Sequence, residues 1–188
     1  MLPLGVGMMV EYKRSVKIET ALILIVIMSI MGWIYECAFY SFSEGEFIRR
    51  GSGLGPWLPI YGAGTALYLF ATSMKEISST KAFIIGSLGS GILEFATGWG
   101  LYHFADGLRL WDYNTEIWNW GNIGGYVCMR SVLLFGIAAV LVQKYLIPAL
   151  LKFVEKLGER KSLIISIVLS SLFIIDFLFC YLLLPNIR

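Results

Sequence analysis

Residues Ile18–Phe42 read IETALILIVIMSIMGWIYECAFYSF, an apolar run interrupted far along its length by one acid, Glu36. A helix needs about 20 predominantly apolar residues to cross a bilayer, and this run supplies them. Four further runs follow near Trp57–Met74, Ala82–Phe104, Tyr126–Ile147 and Leu163–Leu184. Hydrocarbon offers the backbone no hydrogen-bonding partner, so such runs close their own bonds as helices. The expected fold is an all-α polytopic membrane bundle of about five transmembrane helices. Composition points the same way: 57% of residues are hydrophobic and 15% charged, against roughly 45–50% and 25% in soluble domains. A net charge of +2 gives no electrostatic ground for a nucleic-acid partner.

The second run is the weakest. It opens with Pro56 and Pro59 and contains Gly62 and Gly64. A kinked or partly re-entrant segment is expected there, which requires protein or water over the loosened backbone.

Cytoplasmic loops of membrane proteins carry the excess of Lys and Arg. Threading five spans puts Lys13, Arg14, Lys17, Lys75, Lys81, Lys144, Lys152, Lys156, Arg160 and Lys161 on one side. Arg49, Arg50, Arg109, Arg130 and Arg188 fall on the other. The richer side is expected to be cytoplasmic, with the N-terminus inside and the C-terminus outside. Residues 1–17 then form an N-terminal cytoplasmic segment, and 18–148 a four-helix core with two extracytoplasmic loops. Residues 149–188 hold an amphipathic cytoplasmic stretch, Leu150 to Lys161, and the fifth helix. Met1–Val10 is too short to span and no small-residue cleavage site follows the first long run, so no cleaved signal peptide is expected; Met9 is an alternative start.

Three acids lie within the spans: Glu36, Glu94 and Asp176. A charge at membrane depth costs about 2.5–3.5 kcal/mol on insertion scales, so it is normally paired or kept for substrate or proton work. Gly86, Ser90, Glu94 and Gly98 recur every four residues, as do Ser29, Gly32, Glu36 and Tyr40 on one helical face. Small and polar stripes mark helix–helix contacts, so both glutamates should face neighbouring helices. Asp176 shares its face with Leu169, Leu172 and Phe173, and is expected nearer the headgroups. Arg130 is the evident counter-charge for Glu36 or Glu94. One reading is an ion pair that fixes helix register. The other is an anion- or proton-handling site, with the surplus carboxylate free to take up and release a proton.

Other chemistry is thin. Cys37, Cys128 and Cys180 have no metal-type spacing and sit in apolar runs, as small hydrophobes do. His103 is the sole histidine, which makes a poor metal centre. No GxxxxGK[ST] motif is present, so the chain does not bind ATP through a P-loop, and no cofactor is expected. Arg49 and Arg50 precede a glycine-rich stretch and could hold a phosphate or carboxylate headgroup, although Glu44 and Glu46 lie close by. Trp118 and Trp120 suit an interfacial aromatic belt. Spans one and two echo spans three and four, each pair having an acid late in its first helix and a glycine-rich entry to its second. Two parallel hairpin repeats around a shared interface would explain the echo.

The ordered motifs Gly32-Trp33-x-x-Glu36, Arg50-Gly51, Gly55-Pro56-x-x-Pro59-Ile60-Tyr61-Gly62-x-Gly64, Glu94-x-x-Thr97-Gly98, Trp111-Asp112-Tyr113 and Gly125-x-x-Cys128-x-Arg130 resemble a bacterial family. It is called "putative ABC-transporter type IV", or CmpB-like. The resemblance runs from about Gly32 to Pro148, leaves most of the fifth span outside, and departs from the family's Asn-Gly-Arg pattern around Gly121 to Tyr126. It implies a permease-like subunit working with a separate ATPase, for which only the fourth loop offers a docking element unless a homo-oligomer supplies the rest. Tyr61 and Asp112 fall in these motifs and join Glu36, Glu94, Arg130 and Arg50 as candidate substrate-binding residues.

The leading expectation is a small permease-like protein with an outward-facing polar cavity, in contact with membrane lipid. One alternative is a membrane-embedded enzyme acting on lipid or lipid-linked substrates, with Glu36 or Glu94 as general base and Arg50 or Arg130 on a phosphate. The other is a structural or assembly subunit whose buried charges only set packing.

Overall fold

The computed structural model of the chain describes residues 16–183. Readings that rest on Met1–Val10, Glu11, Lys13, Arg14 and Arg188 lie outside the described residues. Helices follow in the order α1 (Ile18–Glu44), α2 (Pro59–Ala71), α3 (Ser79–Phe104), α4 (Met129–Leu141), α5 (Ile147–Leu157) and α6 (Glu159–Phe177). A π-helical turn, Val142–Leu146, joins α4 to α5, and another, Leu178–Leu183, extends α6. Among the described residues there is no strand, only an isolated antiparallel bridge between Ile123 and Val127.

Among the described residues four helices are long and apolar enough to cross a membrane: Ile18–Glu44, Ser79–Phe104, the fused Met129–Leu157, and Glu159–Cys180. The chain is a multi-pass helical membrane protein. The second expected span behaves differently. Pro59 starts α2, which runs for only 13 residues, or about 20 Å at 1.5 Å per residue, short of a hydrocarbon core of about 30 Å. Residues 51–58 before it are irregular, as the prolines and glycines there anticipate.

The helices pair as hairpins, α1 on α2 and α3 on α4, with α2 also against α3 and α6 against α1. Small residues set the separations. A Cβ at Gly62 would meet Ser29 Oγ at 2.5 Å and Ile25 Cγ2 at 3.1 Å, and the Tyr61 ring lies over Gly32. Across the second hairpin, a Cβ at Gly86 would reach the Phe135 carbonyl at 3.1 Å, and one at Gly136 the Phe83 ring at 2.8 Å. Both stripes read from the sequence therefore face helices. On the outside, Leu88, Ile92, Ile167 and Ile175 are exposed, as residues facing lipid tails would be.

At one end of the bundle lie the two long loops, residues 45–58 and 105–128, joined where Arg50 Nη2 donates to the Leu110 carbonyl at 3.1 Å. The other end is closed by apolar packing: Val16, Ala21, Ile23, Leu24 and Leu69 bury against Ile147, Leu150 and Val154. The amphipathic stretch of the sequence is thus α5, with one face in this core and Lys152, Glu155 and Lys156 exposed. The π turn buries Gln143 there. Its Oε1 accepts from Tyr68 Oη at 2.7 Å and from the Ile77 amide at 3.3 Å, and its Nε2 donates to the Ile77 carbonyl at 2.6 Å. One side chain so satisfies both backbone groups of a residue in the α2–α3 connection.

Candidate functional site

The loop end holds the charged side chains. Glu36 projects from α1, its neighbours fixed by a zipper between helix and loop: Ile48 N donates to Ser41 Oγ at 2.8 Å, Arg50 N to Cys37 Sγ at 3.2 Å, and Trp33 Nε1 to the Arg50 carbonyl at 2.9 Å. This brings the Arg50 guanidinium to Glu36 Oε2 at 3.1 Å and over the Tyr40 ring at 3.9 Å. Tyr61, in the first turn of α2, donates to Glu36 Oε1 at 3.1 Å.

The second acid is held by a different chemistry. Glu94 is buried on α3. Oε1 accepts from Tyr113 Oη at 2.7 Å and Oε2 from Ser131 Oγ at 2.6 Å. No Lys or Arg nitrogen lies within 4.0 Å of it among the described residues. Burial, and then the charge of Glu94, push the Tyr113 phenol well above its ordinary value, so it remains a donor. Ser131 Oγ also lies 2.9 Å from the Cys128 carbonyl. Its single proton can go to Glu94 when that group is ionised, or to Cys128 when Glu94 carries its own proton. The surroundings therefore accommodate either state.

The counter-charge expected for these acids goes elsewhere. Arg130 Nη2 pairs with Glu116 Oε2 at 2.6 Å, Nη1 donates to the Ile117 carbonyl at 2.8 Å, and the guanidinium stands over the Phe39 ring at 4.4 Å. Tyr40 Oη donates to the other oxygen of Glu116. Arg130 thus serves neither Glu36 nor Glu94, because the 105–128 loop folds back and supplies its own carboxylate. Among the described residues, Arg130 Nε is buried without a hydrogen-bond partner. A cavity of about 30 Å³ joins these groups, lined by Tyr35, Glu36, Tyr61, Glu94, Glu116 and Arg130 among others. Its volume exceeds the minimum of about 10–15 Å³ for one water.

Of the six candidates read from the sequence, Glu36, Glu94, Arg130, Tyr61 and Arg50 meet here. Asp112 does not. It closes a turn, accepting from the Asn114 amide at 3.0 Å and side chain at 2.7 Å, and sits 3.3 Å from Arg109. Asp176 is buried against the first loop: its carboxylate accepts from Leu54 N at 2.9 Å and Trp57 Nε1 at 2.6 Å, anchoring that loop to α6. Arg49 spends its guanidinium on the Gly53 and Leu54 carbonyls at 2.7 and 3.1 Å, so the Arg49–Arg50 pair is not an open anion clamp. Sequence reading missed Glu116, Tyr113 and Ser131. A signal for Glu116 existed: it precedes Arg130 by 14 residues, the separation of Glu36 and Arg50.

A family model described as "Putative ABC-transporter type IV" matches residues 23–181. The chain belongs to this family. The match takes in both hairpins except the first five residues of α1, the two long loops and all of α6, further than the motifs from Gly32 to Pro148 reach, so the fifth span is part of the family's architecture. No curated protein and no solved structure matches the chain.

Proposed function

We propose that this chain is a permease-like membrane component of an ABC-type transporter, and that its polar cavity receives a cationic or protonatable group of the cargo at Glu94. The observation that carries the reading is a charge imbalance. Three carboxylates, Glu36, Glu94 and Glu116, stand with two guanidiniums, and these are committed to Glu36 and Glu116. Glu94 is left with hydroxyl donors only. A carboxylate offers about four acceptor positions, of which Tyr113 and Ser131 use two, so an ammonium or a proton still has sites to occupy. An uncompensated carboxylate at membrane depth is costly, and a positive charge arriving there relieves that cost.

In this reading Arg50 and Arg130 position the other two acids and repel a cation away from them, toward Glu94. The basic residues near Lys75 and on α5 support a cytoplasmic location for that end, with the charged cavity then toward the outside. Lys152 and Lys156, exposed on α5, are the surface we assign to an ATPase partner, with a second copy of the chain completing the docking face.

The test is ATP-dependent uptake of radiolabelled organic cations, anions and neutral solutes into membrane vesicles from cells expressing the chain with its native neighbours. Uptake is expected in the cation arm alone. It should fall at least tenfold in Glu94→Gln and survive in Glu94→Asp. Uptake confined to anions, or cation uptake indifferent to Glu94→Gln, would overturn the proposal.

A further inference from the structure

Behind the polar cavity lies a larger and quite different space. A groove of about 330 Å³ runs between α2, α3 and α4, within the range of roughly 300–1,000 Å³ found for small-molecule sites. Its walls are apolar and are opened by glycines. A Cβ at Gly89 would meet no atom within 4 Å, and one at Gly64 only Leu93 Cδ2 at 3.7 Å. At the rim, Leu67, Phe70 and Ile92 are 47%, 82% and 69% exposed on helices that stand in hydrocarbon. The mouth therefore opens sideways, toward lipid tails.

Four residues, Ile60, Tyr61, Glu94 and Phe135, line both this groove and the polar cavity, and of these only Tyr61 and Glu94 carry polar side chains. The groove thus ends at the carboxylate that lacks a cation. An apolar body in the groove gains little over its place in the bilayer, because lipid tails are as apolar as leucine side chains. Selection must come from the head, at Glu94. An anionic head would face three carboxylates with both arginines already engaged, whereas an ammonium would complete the charge balance.

We infer that the groove binds one apolar chain of an amphiphile drawn from the bilayer, with its ammonium head against Glu94. The inference rests on the reading of Glu94 as the cation-binding carboxylate and adds the cargo's second half, an apolar tail that enters from the side. Tyr61 stands at the junction, where its ring continues the apolar wall and its hydroxyl stays with Glu36.

Equilibrium binding of tritiated dodecylamine and dodecanol to the full chain in phosphatidylcholine nanodiscs at neutral pH tests this. Dodecylamine should bind saturably, at one per chain and at least tenfold tighter than dodecanol. Glu94→Gln should weaken dodecylamine at least tenfold and leave dodecanol within about twofold. Gly89→Leu, which adds bulk where there is open space, should abolish binding of both. Equal affinity for amine and alcohol in the unaltered chain, no saturable binding, or full binding in Gly89→Leu would each overturn the inference. Glu94-dependent uptake of small cations without dodecylamine binding would sink this inference and spare the transport reading; binding without uptake would do the reverse.

Discussion

Replacing Glu116 by Gln removes one charge from the pair that defines the cavity's far wall. Glu116 and Arg130 meet at 2.6 Å with side chains only 5% and 15% exposed, so water screens them weakly. Removing one partner of a buried pair typically costs about 3–5 kcal/mol, because the other charge is left uncompensated. Gln keeps the size and one acceptor oxygen, and Arg130 keeps the Ile117 carbonyl at 2.8 Å. The lower end of that range, about 3 kcal/mol, is therefore expected. Arg130→Gln should cost a similar amount. The double variant should cost less than the two together, by about 2 kcal/mol, since no charge is then stranded. Reversible unfolding in mixed micelles, followed by circular dichroism against increasing dodecyl sulfate, measures all three. The same cycle on Arg130 with Glu94 or Glu36 should show weaker coupling. If Arg130 couples more strongly to Glu94 than to Glu116, the assignment of counter-charges and the charge imbalance built on it are wrong.

Two other substitutions probe the framework around the site. Asp176→Asn halves the acceptors offered to the first loop, and with charge-assisted bonds worth about 1.5–3 kcal/mol the Leu54 amide should exchange its hydrogen more than tenfold faster by mass spectrometry, with little change in α1. Gly136→Ala forces a methyl against Phe83 and Ser87 and should lower unfolding stability by about 1–3 kcal/mol, while Gly89→Ala, which meets open space, should gain about 0.5–1 kcal/mol from reduced backbone entropy; thermal unfolding in detergent distinguishes the two.

The bundle was readable because its signal is one of length: α1, α3 and α6 each run through apolar residues for the thickness of a bilayer. Its stripes were readable too, since Gly86, Glu94 and Gly98 repeat at the helical period. The second run read as a span because hydropathy counts residues, not hydrogen bonds; Pro59 begins the helix there, and the preceding residues spend their length as loop. Partner choice among charges was the illegible part. Periodicity orders residues within one helix, but Glu116 reaches Arg130 through the fold of a 24-residue loop built on turns at Asp112 and Asn122, and no spacing rule conveys that. Tyr113 and Ser131 were hidden for a related reason: hydroxyls donate to so many partners that their presence alone singles out none.

The π turn at Val142–Leu146 has a consequence for the heredity of this helix. Such a turn accommodates one residue more than the surrounding α pitch, so everything beyond it is rotated by about 100° relative to an uninterrupted helix. Loss of a single codon within that turn would restore the regular pitch and leave Ile147, Leu150 and Val154 in the core, whereas straightening the turn at its present length would swing them out and carry Lys152 and Lys156 inward. The segment should therefore bear the removal of one residue more easily than a substitution that forces its present length into regular pitch.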